Sequence, residues 1–229
     1  MTDLEIGILT DPTSGNHIVK VCRDQTVKIN SVAQYVAKGL SNGEAVAIIA
    51  RPSLRKALVD FLVKQGFDVQ SFKDQGQIKF LDADFLLSSL WIDNGIDIEA
   101  FEKLVADPLK VMKLTYDKIR IFGEMVDVLW QKGAYDGAMQ LEDRWNDLFK
   151  KIEFSLLCTY SFNHLDPSTY DEALERICRC HTHHIPLEVS GLSISSEANE
   201  LLDNFELAWK RIIDKFNSFT PVPPSIPPA

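Results

Sequence analysis

His17-Ile18-Val19-Lys20-Val21-Cys22, Ala45-Val46-Ala47-Ile48-Ile49-Ala50 and Ile78-Lys79-Phe80-Leu81 decide the fold of this 229-residue chain. Each run is short and β-branched or continuously apolar, so each reads as a strand. The middle run offers no polar side to water, which is what a parallel strand covered on both faces requires. Between the first two, Ile29, Val32, Ala33, Val36, Ala37 and Leu40 recur at helical spacing, after a capping Asp24 and before Asn42-Gly43. Between the second and third, Leu54, Ala57, Leu58, Phe61 and Leu62 do the same, with Ser53 as the cap and Gly66 as the stop. Strand, helix, strand, helix, strand is the opening of a doubly wound parallel sheet.

The pattern continues outward. Asp97 opens a helical stretch that Pro108 breaks or restarts, because proline cannot supply an interior hydrogen bond. Ile119-Arg120-Ile121-Phe122 is a fourth strand, followed at once by Gly123-Glu124-Met125. Leu141, Trp145, Leu148 and Ile152 mark a long amphipathic helix, and Phe154 to Tyr160 is a fifth strand. Ser168 with Asp171 starts a helix that runs towards His181. The expected organisation is a lead-in over 1–15, a three-layer α/β domain over 16–190, a C-terminal amphipathic helix over 191–218 and a Pro-rich extended tail over 219–229. In that last helix Leu201, Phe205, Ala208, Ile212 and Phe216 form a seam wide enough to pack on its own domain or across a two-fold axis.

Charge narrows the function classes. The chain carries 24 basic and 33 acidic residues, a net charge of −9, with no run of Lys or Arg, so a nucleic-acid partner is not expected. No apolar stretch is long enough for a bilayer, and the first residues lack a basic and apolar leader; a cytoplasmic protein with no membrane partner is expected. Cys22, Cys158, Cys178 and Cys180 read as reduced thiols.

The turn after the first strand, Cys22-Arg23-Asp24-Gln25-Thr26-Val27-Lys28-Ile29, has no glycine and no Gly-Lys-Ser/Thr. A phosphate cradle needs glycines so that backbone N–H groups converge on phosphate oxygens, and a lysine beside a hydroxyl residue. This turn cannot supply either. No nucleophile elbow, paired-acid motif or HExxH is present, so binding and signalling are expected rather than catalysis, with no cofactor.

Two resemblances carry this further. Lys38-Gly39-Leu40, Gly43-Glu44-Ala45-Val46, Gly66-Phe67-Asp68 and Gly76 to Ala83 resemble the first half of the KaiC-like, RecA-fold ATPases. His17-Ile18-Val19, Phe122-Gly123-Glu124-Met125-Val126, Leu129-Trp130, Leu141-Glu142, Trp145-Asn146, Phe154 to Tyr160, Ile177-Cys178 and His181-Thr182 resemble the MEDS domain, a sensory module of methanogens and methylotrophs named after the regulator DcmR. That resemblance, over roughly 15–187, implies a RecA-like core without its phosphate loop, sensing a small, largely apolar organic molecule. It also implies a histidine kinase or regulator as downstream partner. No kinase core or helix-turn-helix is read in these 229 residues. A homodimer is the other expected assembly, and a non-catalytic scaffold the alternative function.

The candidate ligand-binding residues are Glu124, Cys158, Tyr160, His17 and Trp130. Glu124 follows the fourth strand, where open α/β sheets bind ligands; its other reading is a cap on the next helix. Cys158 and Tyr160, two apart on one strand, share a face and line the same crevice, unless they simply pack. His17 begins its strand, away from the crevice, and enters through the resemblance alone. Trp130 sits on an apolar helical face, where core packing is the plainer role. Cys178, Cys180, His181 and His183 are zinc-type residues, but no second ligand pair is visible elsewhere, so no metal is expected. His183 and His184 read as a turn before Pro186.

Overall fold

The computed structural model describes residues 3–162, 167–185, 187 and 196–218. The described strands are β1 (His17–Cys22), β2 (Ala45–Ala50), β3 (Ile78–Asp82), β4 (Trp91–Ile92), β5 (Gly95–Ile96), β6 (Ile119–Gly123), β7 (Ser155–Ser161) and β8 (His183–Ile185). Six form one sheet in the order β3-β2-β6-β7-β1-β8, with every neighbouring pair parallel. Strands β4 and β5 make a separate antiparallel ribbon.

Side-chain alternation builds the three layers. Ile18, Val46, Ile48, Phe122 and Leu157 point to one core, and Val19, Val21, Ala47, Ile49, Ile121, Leu156 and Cys158 to the other. The first core is covered by α1 (Asp3–Thr10), α2 (Gln25–Ser41), α3 (Pro52–Lys64) and α4 (Val69–Asp74). On the opposite face lie α5 (Ala83–Leu90), α6 (Ile98–Phe101), α7 (Asp107–Lys113), α8 (Met125–Gln131), α9 (Tyr135–Phe149), α10 (Tyr170–Arg179) and α11 (Ser196–Ser218). Both faces are dry, which is why the strands read as unbroken apolar runs. No helix of the described residues is long and apolar enough to cross a membrane.

Several local expectations need correction. The lead-in contains α1, whose Leu9 is fully buried. Its last carbonyl, on Thr10, accepts from Arg120 Nη1 at 2.9 Å. Arg120 is itself buried in β6 and ion-paired with Glu44, so a long-range charge requirement holds α1 down, and local sequence does not show that. Arg51, not Ser53, is the N-cap of α3, with Pro52 in the first turn, where its missing N–H costs nothing. Pro108 restarts the helix: a π turn over Glu102–Ala106 joins α6 to α7. Thr169, not Ser168, occupies the N-cap position of α10. His183 and His184 form β8 with Ile185 rather than a turn. The β4–β5 ribbon turns on Asp93 and Asn94, with φ of 50° and 61°, the pair of left-handed residues that a two-residue hairpin favours. Pro186 and the tail over 219–229 lie outside the described residues.

Helix α11 packs on α10. Phe205 and Ala208 are buried, Phe205 meets Tyr170 edge-on at 5.5 Å, and Arg211 holds Asp171 through two 2.8 Å contacts.

Gly39 on α2 gives a direct check of the buried Arg120. A Cβ there would lie 2.7 Å from Arg120 Cδ and 2.9 Å from Nε, and the guanidinium cannot retreat without leaving Glu44. Gly39→Ala is expected to lower stability by about 1–3 kcal/mol despite its better helix propensity, measured by urea denaturation.

Candidate functional site

The carboxyl edge of the sheet is closed by paired protein charges. Asp24 caps α2, its carboxylate accepting from Val27 N at 2.8 Å, so the positive helix end already faces an anion. Lys28 is buried and ion-paired with Asp127 of α8, and also donates to Ser161 Oγ at 3.0 Å. Asp127 accepts in addition from Ser161 N and Oγ, both at 2.9 Å, and from Gln131 Nε2 at 2.8 Å. Burial pushes the neighbouring Cys22 thiol up to about 12, against the pull of Lys28. One strand pair over, Glu124 Oε2 accepts from Arg51 N at 2.7 Å, and Oε1 accepts from Arg51 Nε at 3.0 Å and Nη2 at 2.7 Å.

A different group of side chains meets beneath α9. The stripe Ala138, Leu141, Trp145 and Leu148 docks α9 on the sheet, and the helical spacing carries Glu142 inward with it until it is fully buried. Around its carboxylate stand His17 from β1, Cys158 and Tyr160 from β7, and His181 from the turn after α10. His17 Nε2 lies 3.2 Å from Glu142 Oε2, and His181 Nε2 3.3 Å from Oε1. Cys158 Sγ is 3.6 Å from His17 Nε2 and 3.7 Å from Glu142 Oε2. Tyr160 donates its hydroxyl to Glu142 Oε1 at 2.9 Å.

Outer hydrogen bonds orient both imidazoles. Asn146 Nδ2 donates to the Cys180 carbonyl at 3.2 Å, which turns Asn146 Oδ1 to accept from His17 Nδ1 at 3.1 Å. His181 Nδ1 donates to the Ile177 carbonyl at 2.7 Å. Each ring therefore presents Nε2 to the centre. Burial would raise the Glu142 carboxyl, but the two histidines outweigh it and hold the group well below the usual range. Burial lowers the His17 imidazole, and His181 lowers it further. Burial and the Glu142 charge raise the Cys158 thiol and the Tyr160 hydroxyl.

The comparisons agree on family and fold. A family model described as "MEDS: MEthanogen/methylotroph, DcmR Sensory domain" matches residues 16–182. The chain belongs to the MEDS family. No curated protein is similar enough in sequence to match it. The flagellar accessory protein FlaH from Methanocaldococcus jannaschii superposes with a TM-score of 0.53 at 13% identity, covering 82% of this chain and 79% of FlaH. A KaiC-like protein from Pyrococcus horikoshii gives 0.45 at 13% identity, covering 65% of this chain and 62% of its own length. At such identity the likeness to FlaH is one of fold, and the six-stranded sheet is RecA-like.

Within this MEDS domain the sequence-selected residues separate into two places. Glu124 does not face an open crevice: both of its oxygens are held by Arg51, whose backbone N–H it caps at the start of α3, and it makes no side-chain cap to α8. Cys158 and Tyr160 do share a face, but they meet Glu142, not Glu124. His17, placed away from the crevice by its position in β1, is buried in the Glu142 cluster for the same reason. Trp130 is buried and stands edge-on to Tyr160 at 5.3 Å. Cys178 packs in the core, Cys180 Sγ donates to the Arg176 carbonyl at 3.6 Å, and His183 Nδ1 meets Thr182 Oγ1 at 2.9 Å; of the four zinc-type residues only His181 reaches the cluster. Glu142 and Asn146 were not singled out as site residues. Their signal was a carboxylate and an amide flanking the Leu141 and Trp145 stripe of an otherwise apolar helix face.

A cleft of about 170 Å³ opens between α8 and α10, lined by Trp130, Tyr135, Thr169, Glu172, Ala173 and Arg176. Its Trp130 wall is the ring that touches Tyr160.

Breaking the buried pair at the carboxyl edge tests its role. Lys28→Met leaves Asp127 without its cation and is expected to cost about 3–5 kcal/mol, while the double variant Lys28→Met/Asp127→Leu recovers most of that loss, both read from urea midpoints. Calorimetric titration of the wild-type chain with Mg-ATP is expected to give no heat at micromolar nucleotide, because cap and lysine are already satisfied.

Proposed function

We propose that this MEDS domain is a ligand-controlled signalling module that holds a small, largely apolar organic molecule without turning it over, and relays occupancy to a partner. The cleft beside Trp130 carries the reading. Its volume of about 170 Å³ suits a molecule of a few heavy atoms, with two aromatic rings and Ala173 as apolar contacts and Glu172 and Arg176 at hand for one polar group. The ligand is assigned here, beside α10, and not to the strand end at Glu124.

The relay follows from what the cleft touches. Glu172, Ala173 and Arg176 belong to α10, and α10 carries α11 through Tyr170–Phe205 packing and the Arg211–Asp171 and Lys215–Glu175 ion pairs. A molecule that binds one placement of α10 better than another shifts its population, and α11 moves with it. Leu201 and Leu207 on α11 are exposed and stand ready to meet a kinase, a regulator or a second copy of the chain.

Thermal melting with a panel of short alcohols, haloalkanes and amines tests this. At about 100 times Kd a cleft ligand is expected to add about 2.7 kcal/mol, several degrees in Tm for a chain of this size. Ala173→Leu, which fills the cleft, is expected to abolish the shift while the variant still melts cooperatively. A panel that leaves Tm unchanged in the wild type, or a shift that survives Ala173→Leu, overturns the assignment.

A further inference from the structure

The Glu142 cluster gathers ligand-type side-chain atoms around one buried point. Two hydrogens point into it, one on the Tyr160 hydroxyl and one on the Cys158 thiol. Facing them are the Glu142 carboxylate and the two imidazole Nε2 atoms, each ring being held through its Nδ1 by Asn146 Oδ1 or the Ile177 carbonyl. Tyr160 serves Glu142, and the single thiol proton serves at most one of the remaining atoms. His181 Nε2, on a side chain with no exposure, makes no hydrogen bond among the described residues although it lies 3.3 Å from a carboxylate oxygen. A cation between that nitrogen and the carboxylate oxygen would give both a partner.

Three of the spacings match those around one cation. Zinc bonds of about 2.0–2.1 Å to nitrogen and oxygen and about 2.3 Å to sulfur give tetrahedral edges of about 3.3 Å between N and O and about 3.6 Å to S. The cluster shows 3.2 Å from His17 Nε2 to Glu142, 3.6 Å from Cys158 Sγ to His17 and 3.7 Å from Cys158 Sγ to Glu142. All four ligand atoms fall within 4.8 Å of one another. The outer bonds are those of metal-binding histidines, which hand their second ring N–H to a carbonyl or amide oxygen, and of metal-binding carboxylates, which are hydrogen-bonded in turn. Here Asn146, the Ile177 carbonyl and Tyr160 fill those places.

We propose that His17, Glu142, Cys158 and His181 form a closed, four-coordinate site for a zinc-type divalent metal ion. On binding, the Cys158 S–H bond breaks, its proton leaves to solvent and the sulfur pair bonds the metal. Thiolate, carboxylate and divalent ion then sum to zero charge, which suits a site without water. Four protein ligands leave no open position, so the ion ties β1, β7, α9 and the α10–β8 turn together and does not activate substrate. The assignment stands apart from the sensing role, and its test needs no organic ligand.

The full chain, freed of any metal-binding tag and desalted, is expected to retain about one zinc per molecule by elemental analysis. Chelator-stripped chain refilled with Co²⁺ is expected to show the strong visible bands of four-coordinate cobalt with a near-ultraviolet sulfur charge-transfer band. Cys158→Ser removes the charge-transfer band, and Cys180→Ser keeps it. Asn146→Ala, which releases the outer bond to His17, lowers zinc affinity about 10–100-fold in chelator competition. A wild-type chain that is folded by circular dichroism yet holds no stoichiometric metal and gives no cobalt spectrum overturns the proposal. So does a charge-transfer band that follows Cys180 instead of Cys158.

Discussion

A carboxylate buried without water is the constraint around which half of this molecule is arranged. An ionised Glu142 in the core is tolerable only if several polar groups converge on it. They come from β1, from β7 and from the turn leading into β8. The chain that supplies His181 runs on into β8, three residues long, which pairs with β1. Thr182 locks the start of β1, donating its N–H to the His17 carbonyl at 2.8 Å and accepting from His17 N at 2.9 Å, and the adjacent His181 closes the cluster. The edge strand is held as much by its polar neighbours as by Ile185.

The carboxyl edge of the sheet shows the opposite solution to the same problem. There each charge has a dedicated partner: Lys28 with Asp127, Arg51 with Glu124, and the α2 terminus with Asp24. These pairs stand at the carboxyl ends of the strands and give each of those charges a partner inside the protein. On the α8–α10 side lies the cleft, and Trp130 and Tyr160 connect its wall to Glu142.

How much of this was legible follows from the range of the interactions. The five apolar strands and the Asp24 cap are local patterns, and the sequence displays them. The β4–β5 turn is local too, carried by Asp93-Asn94-Gly95. The lead-in helix was hidden because its anchor, Arg120, lies 110 residues away from Thr10. Likewise His17, Glu142, Cys158 and His181 span the chain, so no spacing rule brings them together. The Cys/His run at 178–184 attracted notice because its residues are adjacent, yet a helix and a turn send most of those side chains in different directions. Only His181, beyond the end of α10, turns back to the centre. The Lys28–Asp127 pair shows the same limit: its two residues lie 99 positions apart, and nothing local joins them.

Cleft and cluster share structural parts, and this has a thermodynamic consequence under the readings proposed. Helix α10 forms one side of the cleft, and the chain leaving it supplies His181; Tyr160 touches Trp130 on one side and Glu142 on the other. A placement of α10 that best fits an organic ligand need not be the one that best brings His181 to a metal. If the two placements coincide, each ligand tightens the other; if they differ, each weakens the other by the same factor, because binding linkage is reciprocal. The size of that coupling is set by how far α10 can move before Tyr170 and Phe205 lose their edge-on contact at 5.5 Å, and with it the hold on α11. A packed aromatic contact of this kind has few intermediate positions. Under those two readings α11 responds in steps to what the buried centre and the cleft contain.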